Sequence, residues 1–168
     1  MEPNINEIRN DNVRLGVSGL GGWLVLIQIG LILTLIQLLN QIITVDLTIF
    51  TDGTWQLLTS KGSDFYDPLW KPTLIFETVY NILFSIFTLF ILVQFYRKKG
   101  IIPRLMIVFY SLSLLVGIFD YIMLQQIPLA KELEDGSSIR DIIKSAITCL
   151  IWILYFLRSE RVKNTFIQ

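Results

Sequence analysis

The chain has 168 residues, of which 53% are apolar and 17% charged, and its 14 basic and 14 acidic side chains give a net charge of zero. A soluble domain needs a charged surface to stay dispersed, so this composition favours a membrane protein, and the missing positive excess argues against nucleic acid as a partner. The sequence has no histidine and a single cysteine, Cys149, so an intramolecular disulfide is excluded, and we expect neither a metal site nor a cofactor.

The first predicted transmembrane helix follows a polar N-terminal arm, residues 1–18. The apolar run from about residue 20 to residue 45 contains no charged side chain. At about 1.5 Å per residue, this run is long enough to cross a hydrocarbon core of about 30 Å with some tilt. It is far longer than the apolar region of a secretory signal, and no Ala-x-Ala cleavage motif follows it, so we expect an uncleaved membrane anchor.

Three further apolar segments occupy about residues 72–96, 103–125 and 139–157. Pro72 and Pro103 stand where two of them begin, and proline in the first turn of a helix removes only an N–H that has no intrahelical partner. The sequence therefore predicts an all-α fold, a four-helix transmembrane bundle in which residues 19–168 form one membrane domain.

The orientation of the bundle is predicted from the Lys and Arg residues outside the helices. Nine of these lie in the N-terminal arm, the 97–104 link and the C-terminal tail, whereas four lie in the other two links. The nine are Arg9, Arg14, Arg97, Lys98, Lys99, Arg104, Arg158, Arg161 and Lys163, and the four are Lys61, Lys71, Lys131 and Arg140. Because basic residues are retained on the cytoplasmic side, both termini are predicted to lie inside, with residues 1–18 as a cytoplasmic arm.

The first outer link, residues 46–71, mixes aromatic and polar side chains, a composition typical of a membrane–water interface. Thr51 and Asp52 can cap a short helix through Leu58, which we interpret as an interfacial helix. The alternative is an ordered loop packed over the bundle. The aromatic residues predicted to anchor the chain at the two interfaces are Trp23, Trp55, Trp70, Trp152 and Tyr155.

Polar side chains recur on one face of each predicted helix, and lipid offers such groups no hydrogen-bond partner, so each face should point into the bundle. The four sets are Trp23, Gly30, Thr34, Gln37 and Gln41; Glu77, Asn81, Ser85 and Thr88; Ser113, Gly117 and Asp120; and Lys144, Thr148 and Tyr155.

Glu77, Asp120 and Lys144 each lie five residues from the predicted outer end of their helix, about 7–8 Å into the membrane. An unpaired charge in hydrocarbon costs at least about 2.5 kcal/mol, so we expect Lys144 to pair with Glu77, with Asp120 or with both. The layer, completed by Asn81, is either a structural staple between the helices or the floor of an outward-facing cavity for a proton, an ion or a small solute.

Several short motifs resemble those of one protein family. They are Gly19-Leu20-Gly21-Gly22-Trp23-Leu24, Tyr66-x-Pro68-Leu69-Trp70-x-Pro72, Glu77 with Asn81, Ile151-Trp152-x-x-Tyr155-Phe156 and, most specific, Ser159-x-Arg161-Val162-Lys163-x-Thr165-Phe166. The chain resembles the domain-of-unknown-function family two-five-six-nine from Gly19 to Phe166. This resemblance implies a small, multi-pass, four-helix protein of the bacterial inner membrane, and it implies no activity.

The leading functional hypothesis is a non-enzymatic membrane protein that binds a small solute, an ion or a partner through Glu77, Asn81, Asp120 and Lys144 from the periplasmic side. A scaffold protein with a purely structural charge layer is one alternative, and a small transporter that acts as a homodimer is another. The expected partners are the lipid bilayer and either a second copy or another membrane protein. An enzyme is the least favoured class, since the sequence identifies neither a nucleophile with its base nor a substrate.

Overall fold

The structure is a computed structural model that describes residues 18–167, and all regular structure within this range is helical. The predicted arm at residues 1–18 therefore lies almost wholly outside the described residues. The long helices are α1 (Trp23–Gln41), α4 (Trp70–Tyr96), α5 (Ile102–Leu124) and α7 (Ser137–Arg158). The short helices are α2 (Leu47–Thr51), α3 (Thr54–Thr59), α6 (Pro128–Leu133) and α8 (Glu160–Thr165).

Three helical segments are long and apolar enough to cross a membrane, which makes this an all-α membrane protein. They are Trp23–Thr51 with 29 residues, Trp70–Tyr96 with 27 and Ile102–Leu124 with 23. Many of their large apolar side chains are exposed, as expected for surfaces that face lipid. Helix α7 has 22 residues and coincides with the fourth predicted segment, but its first two turns carry three charged side chains.

The first helix does not end near Val45 as predicted. A π-helical turn, Ile42–Asp46, joins α1 directly to α2, and the helical path continues to Thr51. A π-helical turn inserts one extra residue into the helix and shifts every later side chain around the axis. The prediction that Asp46 belongs to the outer link is therefore wrong: Asp46 is helical and only 2% exposed.

The long helices pack in the order α1, α4, α5, α7, with α4 on α1 and on the π-helical turn, and α7 on α5. Their main core lies toward the predicted cytoplasmic half, where large apolar side chains meet. Its fully buried members are Leu24, Ile27, Leu31, Ile91, Phe95, Ile102, Met106 and Val162. The core is narrow because most apolar side chains of these helices point outward.

A second apolar cluster covers the opposite end of the bundle. Trp70, Leu74 and Ile127 form its buried centre, and Trp55 and Leu58 of α3 pack against it. The short helix predicted in the first outer link is thus confirmed, and it lies over the bundle, in agreement with the alternative of a packed loop. The helix begins after Gly53, which has φ +88°, and Oδ1 of the preceding Asp52 accepts a hydrogen bond of 2.9 Å from the backbone N–H of Thr54.

The two ends of the described chain meet at the predicted cytoplasmic side. The backbone N–H of Gly19 donates a 2.9 Å hydrogen bond to Oγ1 of Thr165 in α8. The guanidinium of Arg161 lies directly over Gly21 and Gly22, so close that a Cβ on Gly22 would be 3.3 Å from it. Phe166 packs edge-on against Phe95 with ring centroids 5.1 Å apart. Residues of the first and last family motifs therefore form one contact.

Candidate functional site

A polar cavity lies between α1, α4, α5 and α7, in the half of the bundle near the π-helical turn. Its volume is about 570 Å³, within the range of small-molecule sites, and it is open on one side. Its polar lining is Thr34, Gln37, Gln41, Glu77, Tyr80, Asn81, Ser113, Asp120 and Ser145. The polar faces of three predicted helices, α1, α4 and α5, therefore do converge within the bundle.

Asp46 and Asn81 connect the first helix to α4 at the edge of this cavity. Nδ2 of Asn81 donates a hydrogen bond of 3.0 Å to Oδ2 of Asp46. Asn81 lines the cavity, whereas Asp46 is buried behind it. In an uninterrupted α-helix, Val45 and not Asp46 would lie on the face of Gln37 and Gln41. The π-helical turn therefore turns the carboxyl group of Asp46 toward α4.

Glu77 of α4 and Asp120 of α5 both line the cavity and lie near enough for their charges to interact. Asp46 is near enough for its charge to act on Glu77 as well. Oδ1 of Asp120 is buried and accepts no hydrogen bond from the described residues. A buried acceptor without a donor is costly, so this atom marks a position where a ligand or water donor would be stabilised.

The prediction that Lys144 pairs with these acids is wrong. Nζ of Lys144 forms its salt bridge with Oδ1 of Asp141, at 2.8 Å and one turn earlier in α7. The two side chains are 73% and 67% exposed, so the pair lies on the outer surface of the helix. The position of α7 explains the error, since its next residue, Ser145, is the one that lines the cavity.

The cavity consequently has an acidic lining, and no Lys or Arg is among its lining residues in the described chain. Two ionised carboxylates side by side repel each other strongly in a low-dielectric site. The pair is neutralised either by a proton or by a bound cation. The described residues contain no group of three or more potential metal ligands arranged to hold a metal ion.

An aromatic row forms one wall of the cavity. Phe76, Tyr80 and Phe84 follow each other at i, i+4 and i+8 on α4, with ring centroids 6.4 Å and 5.0 Å apart and planes within about 21° of parallel. The row continues to Phe109 of α5, whose ring lies 4.9 Å from that of Phe84. Tyr80 lines the cavity together with Ser113 of α5.

The same three rings border an apolar groove between α4 and α5, with a volume of about 690 Å³. The remaining lining is Pro72, Ile75, Val79, Leu83, Phe87, Leu112 and Val116. The aromatic row therefore separates an acidic cavity from an apolar groove on the lipid-facing side of the helices.

Only some residues of the predicted polar faces and interface anchors lie where the sequence predicted them. Ser85 and Thr88 are buried but donate to carbonyls of their own helix, so they extend the polar face of α4 without lining the cavity. On α7, Lys144 and Thr148 are exposed, and that face does not point inward. Of the predicted anchors, Trp23 is 63% exposed and its ring meets that of Trp152 at 6.3 Å.

Trp70 is buried in the second apolar cluster, and Trp55 is half-buried against it, so these two tryptophans mainly contact protein. Tyr155 packs on Trp152 with ring centroids 5.8 Å apart, and its buried hydroxyl has no partner among the described residues. A role of Trp23, Trp152 and Tyr155 at the membrane interface stays a prediction.

Two parts of the site were missed from the sequence. Asp46 was overlooked because a π-helical turn cannot be read from residue spacing, although the apolar run continues past it to Phe50. The aromatic row had a visible signal: its spacing is that of Glu77, Asn81 and Ser85, shifted by one residue.

With this architecture, the chain is a small helical membrane protein that carries an acidic cavity between its helices. It belongs to the family described as Protein of unknown function (DUF2569), which it matches over residues 17–167. No curated protein and no solved structure matches the chain.

Proposed function

We propose that this protein is a non-enzymatic binding protein of the bacterial inner membrane, which takes up a small cationic solute or ion into the cavity from the periplasmic side. The pair of Glu77 and Asp120, without a basic partner, is the observation that carries the proposal. Acids in a membrane interior are costly, and a protein that needed them only for packing would be expected to pair them with a cation of its own.

The proposal includes α7 as a fourth transmembrane helix, with both termini on the cytoplasmic side. The Ile and Leu side chains of α7 from Ile143 to Leu157 support this, since six of these seven are exposed. Its charged first two turns would then lie near the outer headgroups, where lysine and arginine reach water with their long side chains. The excess of basic residues in the 97–104 link and the C-terminal tail supports the orientation.

The roles of the site residues follow from their positions. Asp120, with its unpartnered Oδ1, would be the main ligand, and Glu77 would share the charge of the bound cation. Asn81 would hold Asp46 and present its amide to the cavity. Lys144 is excluded from this set because its charge is directed to Asp141.

The alternative of a homodimeric transporter is compatible with the same cavity, since a single bundle of this size leaves it open on one side. The scaffold alternative finds its support at the outer end, where the apolar cluster around Trp70 gives α3 and α6 a fixed position. The scaffold alternative requires a proton to neutralise the acid pair, since the cavity lining holds no Lys or Arg.

Cysteine labelling from outside tests the proposal. In a Cys149→Ser background, Ser113→Cys places a thiol in the cavity, and Leu115→Cys places one on the lipid-facing side of the same helix, where Leu115 is 64% exposed. Each variant is treated, in cells with a permeabilised outer membrane, with two membrane-impermeant methanethiosulfonates that differ in charge.

We expect the quaternary-ammonium reagent to label Ser113→Cys at least tenfold faster than the sulfonate reagent, and neither to label Leu115→Cys. Adding Asp120→Asn should reduce the ratio of the two rates, since the cavity loses part of its negative potential. No labelling of Ser113→Cys from outside, or equal rates for the two reagents, would contradict the proposal.

A further inference from the structure

The cavity and the groove beside it together indicate the chemical class of the ligand, which the negative charge of the cavity alone does not. This inference rests on the proposed function, because it concerns the same cavity. Three observations enter it: the unpartnered carboxylate oxygen of Asp120, the aromatic row, and the apolar groove that borders the same rings.

The first observation concerns hydrogen bonding. Oδ1 of Asp120 is buried and lacks a donor, so the ligand that stabilises it should bring an N–H or O–H group. A bare metal ion would need several oxygen ligands in a compact shell, and the described residues offer no cluster of three or more metal-binding side chains. A primary ammonium group supplies both the charge and the donors.

The second observation concerns the aromatic wall beside the acids. Phe76, Tyr80 and Phe84 stack on one another, so the row adds an extended apolar surface next to the carboxyl pair. The combination of rings and carboxylates favours an ammonium ion that carries carbon substituents over a small, strongly hydrated inorganic ion.

The third observation is the groove on the far side of the row. Phe76, Tyr80, Phe84 and Val116 line both spaces, so the wall between the cavity and the groove is apolar. A ligand whose polar end reaches Asp120 can place an apolar body against the cavity side of this wall, which removes apolar surface from water.

We propose that the natural ligand is a primary ammonium ion with a hydrophobic body, bound with its nitrogen at Asp120 and Glu77 and its body along the Phe76–Tyr80–Phe84 row. The cation is held by hydrogen bonds and charge, and no covalent step is involved.

The test is isothermal titration calorimetry on the full-length protein in an uncharged detergent at neutral pH. Four probes separate the contributions of charge, hydrogen-bond donors and hydrophobic body to binding. 2-Phenylethylammonium has all three, and 2-phenylethanol lacks the charge. Methylammonium lacks the body, and sodium lacks both the body and the donors. Detergent micelles without protein give the partitioning background for each probe.

We expect 2-phenylethylammonium to bind at least tenfold tighter than the other three probes. Asp120→Asn should weaken its binding at least tenfold, whereas Asp64→Asn, which removes an exposed carboxylate in the link between α3 and α4, should leave it unchanged. Phe76→Leu should weaken 2-phenylethylammonium more than methylammonium, because only the former touches the ring wall. Melting curves of each variant confirm that it is folded before titration.

Other outcomes overturn the inference in distinguishable ways. Asp120-dependent binding of sodium or methylammonium as tight as that of 2-phenylethylammonium would refute the hydrophobic amine and leave the cation-binding function intact. Equal binding of 2-phenylethanol would refute the role of the charge. Absence of binding by all four probes, together with equal labelling rates for the two thiol reagents, would overturn both the ligand and the proposed function.

Discussion

The hydrogen bond between Asn81 and Asp46 gives the sharpest test of how the first helix is held against α4. Asp46 is 2% exposed and its Oδ2 accepts from Nδ2 of Asn81 at 3.0 Å. Leucine has the same branched skeleton and the same number of heavy atoms as both side chains, so Asp46→Leu and Asn81→Leu remove the hydrogen bond while keeping the shape of the side chain. The two single variants and the double variant form a complete double-mutant cycle.

The expected energies follow from burial. Asn81→Leu leaves a buried carboxyl group without a donor, which costs about 2–3 kcal/mol of unfolding free energy. Asp46→Leu costs about 1 kcal/mol, because Asn81 lines the open cavity and can turn to water. Hydrogen bonds between membrane helices couple by at most about 1.7 kcal/mol, so we expect a coupling energy of about 1.5 kcal/mol. The double variant should therefore lose about 2 kcal/mol and not the sum.

The assay is reversible unfolding of the purified protein in mixed micelles with increasing sodium dodecyl sulfate, followed by far-ultraviolet circular dichroism. A parallel cycle with Thr44→Val and Asn81→Leu is the control, since Thr44 is exposed and donates only to the carbonyl of Asn40 in its own helix. A coupling energy of zero between Asp46 and Asn81, or one equal to that of the control cycle, would refute the contact and with it the orientation produced by the π-helical turn.

Three further predictions concern separate parts of the fold. Lys144→Met should change the unfolding free energy by less than about 1 kcal/mol in the same assay, because the salt bridge of Lys144 is exposed. A loss of about 3 kcal/mol would show that Lys144 pairs with the buried acids of the cavity instead. Gly22→Ala should lower stability by about 1–2 kcal/mol, since Gly22 has φ +62° and a Cβ there would meet the guanidinium of Arg161. The matched variant Gly30→Ala should be neutral or stabilising, because a Cβ at Gly30 has no other atom within 4 Å. Equal effects of the two substitutions would contradict this prediction. Glu134 accepts hydrogen bonds from the hydroxyl and the N–H of Ser138, and these bonds, the hydroxyl's most, lower the pKa of Glu134 below 4.5. Their contribution to stability is therefore complete above pH 4.5 and lost as the pH falls through the lowered pKa. The protection factor of the Ser138 amide in hydrogen exchange should fall over that window, and a pH-independent factor would contradict this role of Glu134.

Most of the fold could be predicted from the sequence because lipid imposes a simple rule. Apolar runs long enough to cross the membrane must be helical, and the four predicted segments coincide with α1, α4, α5 and α7 to within a few residues, except at the outer end of the first. Basic residues at Arg97-Lys98-Lys99 and the proline at residue 103 marked the turn between α4 and α5.

The site was only partly predictable, because it depends on rotation about each helix axis. Glu77, Asn81 and Asp120 were recognised since regular spacing fixes which residues share a face. Lys144 was misplaced because spacing gives the face of α7 but not the direction in which that face points, and a partner one turn away was overlooked. Asp46 required a local change of helix type that the spacing of apolar residues does not reveal.

The central claim is that Glu77 and Asp120 are kept together for binding and not for packing. The most direct measurement is the thermal melting temperature of Asp120→Asn against wild type, in an uncharged detergent at neutral pH and without added amine, with Asp141→Asn as the surface control. Removing one of two repelling carboxyl groups relieves repulsion and leaves no cation unpaired, so our account predicts that Asp120→Asn melts at or above wild type. A melting temperature well below that of wild type and of Asp141→Asn would identify the acid pair as a structural element and contradict the account.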